Sequence, residues 1–414
     1  MKHLVSKTVL EENMFGFALP YADGDFMFFG GNESRFEVLC LQFEKIEAED
    51  ALEKQLNQDV ERSYELPFST GIVALISYDD YSQETGQKTS QFFQVYESVV
   101  YDKKKKTRYH FLEDGHEASF DEKIYESAYE EILNASSKMI DWQAYTDKDH
   151  YIKSVENILS QIKEGRFYQL NFLRYFFSKD KLSNLEWLRK LYHNAGPYGA
   201  FISYKSEKIV SFSPEKFFSA EVKDGICHFE THPIKGTSPR FDSKELDEKS
   251  KEFLQNSDKD HAELHMIVDL MRNDFFRICG PGNVSVKDPG TVYSFSNVHH
   301  LIASVTGKLD KKISLGECLK RLCPGGSITG APKKEVMLAI SELEKRPRSY
   351  FMGNIMLFDY KQQKLDSSIL IRTVHIKGDS DMEFAVGSGI VIASEAESEF
   401  SELKAKMRVV SNKS

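Results

Sequence analysis

The sequence predicts an α+β fold in two parts, an N-terminal β-rich lobe over residues 1–140 and a larger unit over residues 145–414. Three observations lead to this prediction. The chain has 414 residues, which is more than a single hydrophobic core usually supports. Strand patterns dominate the first part, whereas strand and helix patterns alternate through the second. The polar segment 134–138, with one asparagine and two serines, marks the boundary.

Composition places the chain among ordinary globular proteins and excludes some partners. Hydrophobic residues make up 41% and charged residues 29%, as is usual for a globular protein. The formal net charge of −10 disfavours general nucleic-acid binding, which needs a basic surface. We therefore expect no nucleic-acid partner, although local cations can still hold an anionic substrate.

The cysteines and the apolar segments indicate a cytoplasmic protein. The five cysteines are widely spaced and form no C-x-x-C pair, which argues against a disulfide scaffold or a structural zinc site. The N-terminal residues lack an apolar segment of signal-peptide length. No run approaches the ~18 apolar residues that span a bilayer. We expect a cytoplasmic chain that does not enter a membrane.

The N-terminal lobe shows one buried strand and one hairpin. Residues 71–78 form a continuous apolar run, which predicts a buried strand. Residues 92–101 and 108–112 flank the lysine-rich segment 102–106, and we interpret the three as a hairpin with a solvated, charged tip. Residues 122–133 predict a helix.

The second unit begins with a capped helix and a strand. Thr146 is the predicted N-cap, and Gly165 ends the helix. Residues 167–176 predict a strand that places Gln169 and Asn171 on one face. The apolar stripe of the helix comprises Tyr151, Val155, Ile158, Leu159 and Ile162.

Lys235 has an unusual local setting. Pro233 fixes one backbone angle and Gly236 permits unusual ones, so the lysine is held on a stiff turn. Taken alone it fits either a solvated surface lysine, or an anchor or nucleophile. Glu215 follows a proline at a predicted strand end and is a candidate general acid. A strand from Glu215, a hairpin connection and a return strand carrying Lys235 would fit the spacing.

Two predicted helices each carry a pair of carboxylates at i, i+3 spacing, which places each pair on one helix face. Hard carboxylate oxygens suit Mg²⁺, with water and substrate oxygens completing its shell. Such pairs are also common on solvated helices. The pairs are Asp260 with Glu263 and Glu399 with Glu402, and Lys406 follows Glu402 on the same face.

Residues 324–333 predict an anion-binding loop. Two glycines and two hydroxyl residues, the second of them Thr329, precede Gly330 and Pro332, and the helix 333–343 follows. Backbone N–H groups at a helix N-terminus bind anions, and Pro332 suits the first helical turn. No Walker A pattern is present, so a carboxylate is the favoured anion.

Further candidates lie elsewhere in the second unit. Arg372, in a predicted strand over residues 367–376, is suited to bind a carboxylate bidentately. Gly387 and Gly389 open another predicted strand, where the backbone can approach a ligand closely. His300 precedes a predicted strand and offers an imidazole.

Together, in this order, these motifs resemble the chorismate-utilising enzymes. The resemblance covers roughly residues 145–412 and rests on SPE, PIKGTSPR, KDHAELHMIVDLMRND, VHHL, PGGSITGAPK, IRT, GSGIV and E-x-x-E-x-x-x-K. It implies the anthranilate synthase component I-like, chorismate-binding fold, in which two β-sheet lobes pack together with helices on the outside.

The resemblance also implies roles for individual residues. Glu215 matches the general acid, and His300 matches the histidine near the leaving 4-hydroxyl group. Phe351 stands where several relatives have a tyrosine near a substrate carboxylate. The implied Mg²⁺ ligands and their supporting carboxylates are Glu263, Glu402, Asp260 and Glu399, and the implied substrate-binding residues are Arg372, Lys406, Thr329, Gly330, Gly387, Gly389 and Gln169.

Two positions divide the resembling family. Relatives that add water at C2 carry a lysine where this chain has Gln169. Relatives that aminate C2 usually carry alanine where this chain has Lys235, whereas those that aminate C4 carry lysine. The resemblance therefore implies amination of chorismate at C4, with Lys235 attacking C2 first. The alternatives are amination at C2 with loss of pyruvate, and a non-catalytic subunit that retains the pocket.

The resemblance finally implies a source of ammonia outside this chain. No G-x-C-x-G nucleophile motif of a glutamine amidotransferase is present in the sequence. We therefore expect chorismate and ammonia as substrates, Mg²⁺ as cofactor, and a glutamine amidotransferase as partner subunit.

Overall fold

The structure is a computed structural model, and it describes residues 4–9, 24–31, 34–56, 65–82, 88–121, 138–294 and 298–411. The predicted helix 122–133 and residues 134–137 of the predicted boundary lie outside these ranges, and the division into two units stays a prediction. Among the described residues, no helix combines the length and apolar character needed to cross a membrane.

The strands within the described ranges are β1 (Leu4–Val9), β2 (Phe26–Phe29), β3 (Phe36–Ile46), β4 (Gln55–Leu56), β5 (Gly71–Ile76), β6 (Gln91–Asp102), β7 (Thr107–Leu112), β8 (Gln143–Ala144), β9 (Gln169–Ser178), β10 (Tyr198–Tyr204), β11 (Glu207–Ser213), β12 (Lys216–Lys223), β13 (Ile226–Thr231), β14 (Ile234–Pro239), β15 (Val284–Ser294), β16 (Val298–Leu309), β17 (Ile313–Ser314), β18 (Gly330–Ala331), β19 (Asn354–Asp359), β20 (Lys364–Ile369), β21 (Thr373–Lys377) and β22 (Asp381–Val391).

The α-helices within the same ranges are α1 (Ala48–Leu52), α2 (Asp79–Ser82), α3 (Lys148–Lys163), α4 (Asn184–Asn194), α5 (Lys244–Gln255), α6 (Asp258–Cys279), α7 (Leu315–Leu322), α8 (Lys333–Glu344) and α9 (Ala396–Ser411). A short 3₁₀ turn spans Gly326–Ile328.

The predicted α+β fold is confirmed, and the strands form one continuous run of antiparallel pairings. From one end, the order is β15, β16, β13, β12, β20, β19, β5, β6, β3, β2, β10, β11, β21, β22 and β9. Strand β14 shares an edge of β16 with β13. Strands from the predicted N-terminal lobe therefore lie between, and hydrogen-bond to, strands of the second unit.

Helices cover the strands through apolar faces. Helix α6 buries Leu264, Ile267 and Met271 in a core shared with the inward residues of β12–β16. Helices α3, α4, α8 and α9 contribute to a second core with β9 and β22. A third core lies between the N-terminal strands and β10, β11 and β19. Because each helix buries one apolar stripe, its polar face is left for solvent or for a site.

Local sequence signals were mostly correct. The buried run 71–78 forms β5, and the lysine-tipped hairpin forms β6 and β7. Helix α3 buries Tyr151, Val155, Ile158 and Ile162, as its stripe predicted. The predicted cap was wrong by one residue, since the side chain of Asp147 accepts the hydrogen bond from the His150 N–H. Aspartate is a favoured N-cap residue, and Asp147, one residue after Thr146, has the N-cap geometry.

Candidate functional site

Glu215 lies in the connection between β11 and β12, and three cations act on its carboxyl group. Its backbone carbonyl accepts a hydrogen bond from Ile369 N–H at 3.2 Å, which fixes the connection against β20. Burial raises the pKa of Glu215 above its ordinary value, and the charges of Lys235, Arg372 and Lys406 oppose that rise. A partly buried carboxyl with a raised pKa keeps its proton to higher pH, as a general acid must.

Lys235 lies on β14 at an irregularity in its pairing with β16. Gly236 has a left-handed φ of 68°, and an added Cβ there would lie 2.6 Å from the Leu254 side chain and 2.9 Å from that of Asp260. Only glycine fits this combination of backbone angle and space. The special backbone predicted around Lys235 is thus an irregularity within strand β14 and not a turn, and residues of helices α5 and α6 pack against it.

The connection between Glu215 and Lys235 has one strand more than the sequence predicted. Strand β12 follows Glu215 and pairs with β13, which is the return strand of the hairpin. Lys235 lies beyond that return strand, on β14, which continues along the edge of β16 that β13 occupies. Pro233 has no N–H to donate to a ladder, and the strand is interrupted there, between β13 and β14.

The two adjacent histidines lie inside β16, not before a strand as predicted, and they serve different purposes. His300 Nδ1 lies 2.9 Å from Thr237 Oγ1, across the pairing of β16 with β14. His299 is buried on the opposite face, between Ser294 Oγ at 2.8 Å and Asp247 Oδ1 at 3.1 Å. His299 is thus a structural residue, and His300 is the half-buried imidazole near Lys235.

Arg372 does not lie in a strand, as predicted, but between two strands. The strand predicted over residues 367–376 is broken into β20 and β21, and Arg372 lies in the break with a left-handed φ of 52°. Its carbonyl accepts a hydrogen bond from Phe212 N–H at 3.1 Å. Burial lowers the pKa of Arg372 and the carboxyl of Glu215 opposes this. The break takes the side chain out of strand alternation and brings its charge to bear on Glu215.

The glycine-rich loop runs along the edge of β9 before it reaches a helix. Gly330 pairs with Leu170, and an added Cβ at Gly330 would lie 2.0 Å from the Gln169 carbonyl oxygen. Thr329 is fully buried, and its hydroxyl donates to the Gly325 carbonyl at 2.9 Å. Pro332 is the N-cap of α8, one position earlier than predicted. The short strand β18 therefore separates the loop from the helix.

Gln169 and two glycines form a tight meeting of β9 and β22. Gly387 and Gly389 lie inside β22, not at its start as predicted, and β22 pairs with β9. An added Cβ would lie 2.1 Å from the Phe172 carbonyl oxygen at Gly387 and 2.6 Å from Gln169 Nε2 at Gly389. Gln169 is 3% exposed, and no described residue hydrogen-bonds to its Oε1. A buried acceptor of this kind is costly unless a ligand or water pairs with it.

Helix α9 brings its predicted residues to the same strand. Lys406 Nζ donates to the Gly387 carbonyl at 3.0 Å and pairs with Glu402 Oε1 at 2.7 Å. Glu399 accepts a hydrogen bond from Ser388, the residue between the two glycines. The i, i+3 and i+4 spacing read from the sequence thus places all three side chains beside β22.

The other carboxylate pair lies at the start of α6. Asp260 Oδ2 accepts from Ser257 Oγ at 2.5 Å, and the Asp260 backbone N–H donates to that hydroxyl at 3.3 Å, so Ser257 caps the helix and also holds the Asp260 carboxylate. Glu263 lies 4.0 Å from Lys259. Asp260 adjoins Gly236 and hence Lys235.

The carboxylates do not form one cluster. Among the described residues, no three His, Cys, Asp or Glu side chains are arranged so that they could hold a metal ion. Asp260 and Glu399 are each engaged with a serine hydroxyl. Mg²⁺ commonly takes only one or two protein carboxylates and completes its shell with water and substrate oxygens. The donor chemistry therefore fits a site with one glutamate from each helix and does not fit four direct carboxylate ligands.

A chain of contacts connects the predicted residues. Glu215 interacts with Lys235 and Arg372 on one side and with Lys406 on the other. Asp260 and His300 each lie beside Gly236, the residue after Lys235. Lys406 donates a hydrogen bond to the Gly387 carbonyl. Gln169, Gly330 and Gly389 meet at β9. The chemistry-bearing residues, spread over the last two hundred residues of sequence, thus surround one region.

Sequence reasoning missed the buried ion pairs that support this region. Lys333 Nζ lies 2.6 Å from Asp274 Oδ1, and Asp274 Oδ2 accepts from the Gly326 N–H at 2.8 Å. Arg348 and Glu344 form a second pair. The available signal was a lysine directly after the glycine-rich loop and an acidic residue late in an otherwise apolar helix. Neither signal names its partner.

A cavity of about 330 Å³ is lined by other residues. It is lined by Phe29, Arg35, Val38, Tyr198, Leu357 and Asp366, among others, and involves none of the predicted catalytic residues. We place the candidate active site at Glu215 and Lys235, because several independently predicted groups converge there and the cavity lacks them.

The fold and the grouping of Glu215 with Lys235, Arg372 and Lys406 are those of an enzyme whose site combines a buried acid with several cations. A family model described as chorismate binding enzyme matches residues 29–412. The chain therefore belongs to the chorismate binding enzyme family.

Similar proteins divide between two activities. Aminodeoxychorismate synthase component 1 of Salmonella typhimurium is 37% identical over 264 residues, which is 63% of this chain and 56% of that protein. Anthranilate synthase component 1 of Bacillus subtilis is 32% identical over 374 residues, 81% of this chain and 71% of that protein. The matched part spans little more than half the length of the aminodeoxychorismate synthase relatives.

A solved structure matches the whole described fold. The crystal structure of anthranilate synthase component I from Streptococcus pneumoniae superposes with a TM-score of 0.72 at 25% identity, covering 98% of this chain and 94% of that one. The anthranilate synthase component I-like fold expected from the motifs is thus confirmed.

Proposed function

We propose that this chain catalyses the amination of chorismate at C4 by ammonia, giving 4-amino-4-deoxychorismate, as an aminodeoxychorismate synthase component I. The observation that carries the proposal is Lys235. It lies on strand β14 at an irregularity against which helices α5 and α6 pack, and its charge acts on the carboxyl group of Glu215. A nucleophile and a general acid in the same site are the two groups that this reaction needs.

The first step replaces the 4-hydroxyl group by a bond at C2. Once the ammonium group of Lys235 has lost a proton to water, its amine attacks C2, the two ring double bonds shift towards C4, and the C4–O bond breaks. Glu215 gives its proton to the departing hydroxyl, which leaves as water. The raised pKa of Glu215 supports this role, because burial keeps the carboxyl protonated. His300, held by Thr237, lies on the neighbouring strand and faces the same leaving group in the proposal.

The second step reverses the shift with a different nucleophile. Ammonia attacks C4, the double bonds return to their original positions, and the C2–N bond to Lys235 breaks. The lysine leaves its protonated adduct as a neutral amine and needs no further proton. The proton released from the new ammonium group at C4 returns to the carboxylate of Glu215 and restores the acid. Overall, chorismate and ammonia give 4-amino-4-deoxychorismate and water, and the enolpyruvyl ether stays in place.

The substrate carboxylates would be held by cations and backbone groups on two sides of Glu215. Arg372 provides a guanidinium suited to a carboxylate, and Lys406 provides an ammonium held by the Gly387 carbonyl. Gly330, Gly387 and Gly389 lie too close to neighbouring groups to leave room for a side chain, and together with Thr329 they would present backbone groups to the substrate. Phe351, buried against Tyr175, supplies no hydroxyl to this site.

Magnesium would be held by Glu263 and Glu402, one from each helix, with Asp260 and Glu399 orienting the helix ends. When bound, the ion neutralises the ring carboxylate of the substrate and so makes the ring more electrophilic. This assignment rests on the donor chemistry, since hard oxygen ligands with substrate oxygens completing the shell are what Mg²⁺ prefers.

Gln169 argues against addition of water at C2. A carboxamide is not a base at neutral pH, so it cannot activate water as a lysine can. Its free Oε1 instead offers an acceptor to the substrate. We therefore assign Gln169 to substrate binding.

The ammonia would come from a glutamine amidotransferase subunit, as the name component 1 of the Salmonella typhimurium relative suggests. The protein would work in the cytoplasm, where all five of its cysteines, which are buried and unpaired, stay reduced.

The second candidate is anthranilate synthase component I, because the Bacillus subtilis relative covers more of both chains. The purified chain incubated with chorismate, Mg²⁺ and saturating ammonium separates the two. We expect 4-amino-4-deoxychorismate without release of pyruvate. Fluorescent anthranilate with stoichiometric pyruvate would establish the second candidate, and no product at all would favour a non-catalytic subunit.

A further inference from the structure

Arg348 and Glu344 form a fully buried ion pair behind the candidate site. Both side chains are 1% exposed, and the guanidinium meets the carboxylate as a fork, with Nη2 at 2.6 Å from Oε1 and Nε at 3.0 Å from Oε2. Burial lowers the pKa of Arg348, but the carboxylate of Glu344 outweighs it, so the net shift is upward and the charge is kept. A fixed charge here offers hydrogen bonds with defined directions.

The guanidinium group also donates hydrogen bonds to two backbone carbonyls. Nη2 donates to the Asn171 carbonyl at 2.6 Å, and Nη1 reaches the Ile328 carbonyl at 3.3 Å. Ile328 directly precedes Thr329 in the glycine-rich loop, and Asn171 lies two residues from Gln169 on β9. Arg348 therefore bridges the two backbone segments that carry the predicted carboxylate-binding groups.

Glu344 fastens the pair to β9 itself. Its Oε1 accepts from the Leu173 N–H at 3.0 Å, and its Oε2 accepts from the Tyr175 hydroxyl at 2.8 Å. On the other side, the guanidinium lies over the ring of Tyr78, 4.6 Å from its centroid. The arginine is thus fixed in position from both directions.

Arg346, two residues earlier, shows what a purely peripheral arginine does in this segment. It pairs with Glu383 at 2.7 Å and lies against the rings of Tyr145 and Tyr175. Among the described residues, its hydrogen-bond and ring partners include no group of the glycine-rich loop. Each of the two arginines pairs with its own glutamate and lies against aromatic rings. They differ in that Arg348 donates a hydrogen bond to the glycine-rich loop.

We propose that Arg348, held by Glu344, is a positioning residue for substrate binding. It holds the backbone of Ile328 against Asn171 on β9, beside the pairing of Gly330 with Leu170, so that Thr329, Gly330 and Gln169 keep the arrangement that a carboxylate of the substrate meets. The inference rests on the proposed function, which assigns these backbone groups to chorismate.

The test compares Arg348→Lys with Arg346→Lys. A lysine keeps the charge opposite each glutamate but cannot donate to two carbonyls and a carboxylate at once. Chorismate affinity is measured by calorimetry with Mg²⁺ present, together with KM and kcat at saturating ammonium, well below each variant's melting temperature. We expect Arg348→Lys to weaken chorismate binding by about tenfold or more, with the KM for ammonium unchanged. Arg346→Lys should stay within about twofold of wild type.

Equal chorismate affinity in both variants would overturn the proposal. If Arg348→Lys does not fold, Tyr175→Phe removes one hydrogen bond to Glu344, and Tyr145→Phe removes the matching one to Glu383. Several-fold weaker binding in Tyr175→Phe alone supports the proposal, and equal affinity in the two overturns it. These ratios are read from binding, so a wild-type protein that binds chorismate but makes another product would overturn the proposed function and leave this test intact.

Discussion

The ammonium group of Lys235 acts on the carboxyl group of Glu215, although a full hairpin, β12 and β13, separates the two in sequence. Burial raises the pKa of Glu215, and the lysine is the first of the charges that oppose it. The two residues that chemistry requires to act in one step are therefore electrostatically coupled before substrate arrives. The predictions below follow from this coupling and from the groups that surround it.

Replacing Glu215 by Gln should lower kcat by about 10²–10⁴-fold, the usual contribution of a general acid. A glutamine cannot give a proton to the leaving hydroxyl. Wild-type turnover should fall as the pH rises through the raised pKa of Glu215, because the acid form is lost, and the variant should lack this limb. Initial rates across pH measure both effects. Glu230→Gln, a change on the exposed rim of β13, is the control, and equal losses in the two variants would argue against the role of Glu215.

Removal of Mg²⁺ should abolish turnover, and added Mg²⁺ should restore it. Glu263→Gln and Glu402→Gln should each raise the Mg²⁺ concentration needed for half-maximal rate by about tenfold or more, since each removes a charged ligand. Glu397→Gln, on the same helix as Glu402 and paired with Lys148 at the surface, serves as the matched control. Titration of activity with Mg²⁺ after chelation gives the values. Unchanged Mg²⁺ dependence in both ligand variants would remove these glutamates from the site.

Asp274→Asn should destabilise the protein and loosen the glycine-rich loop. Asp274 is buried, and it holds both Lys333 and the Gly326 N–H. Breaking a buried pair leaves the lysine charge uncompensated, at a cost of about 3–5 kcal/mol. Asp269→Asn breaks an exposed pair with Arg272 on the same helix and should cost less than about 1 kcal/mol. Urea unfolding of the two variants makes the comparison, and similar losses would contradict the role of the buried pair.

The lowered pKa of Glu97 predicts how the free energy of unfolding falls in acid. Burial alone would raise its pKa, but hydrogen bonds from His110, Ser119 and Phe120 N–H lower it to about 2. A lowered carboxyl pKa stabilises the fold above the unfolded pKa, and this contribution is lost as the pH falls from about 5 towards 2. Glu97→Gln should therefore cost roughly 3 kcal/mol at pH 7 and flatten the acid limb of stability.

The measurement for this prediction is the free energy of unfolding between pH 7 and pH 2.5. Glu117→Gln, an exposed glutamate in the same part of the chain, should leave the curve unchanged. A Glu97→Gln curve that runs parallel to wild type over the whole range would show that another group controls the acid limb.

Local rules in the sequence predicted much of the fold and of the site. Pro233 and Gly236 predicted a special backbone at Lys235, which proves to be an irregular strand and not the expected turn, and the space around Gly236 explains why the glycine is needed. The carboxylate spacing on α9 correctly placed Glu399 and Lys406 beside one strand, because i, i+3 and i+4 neighbours share a helix face.

Features set by distant partners were not predictable in this way. The left-handed backbone at Arg372 breaks a strand that its apolar neighbours favour, and no local signal marks it. Arg348 touches Asn171, 177 residues away, and a sequence shows no such pairing. Likewise, no local pattern in the sequence indicates that β5 pairs with β19, although this pairing joins the N-terminal strands to the rest of the sheet.

The central claim, that Lys235 forms a bond to the substrate, is tested most directly by the intact mass of the protein after incubation with chorismate and Mg²⁺ without ammonia. The first step then has no second nucleophile to complete the reaction. We predict that the wild-type protein gains the mass of chorismate minus one water, that digestion places the gain at Lys235, and that Lys235→Ala shows none. A wild-type protein that turns over with ammonium, yet stays unmodified without it, would contradict the claim.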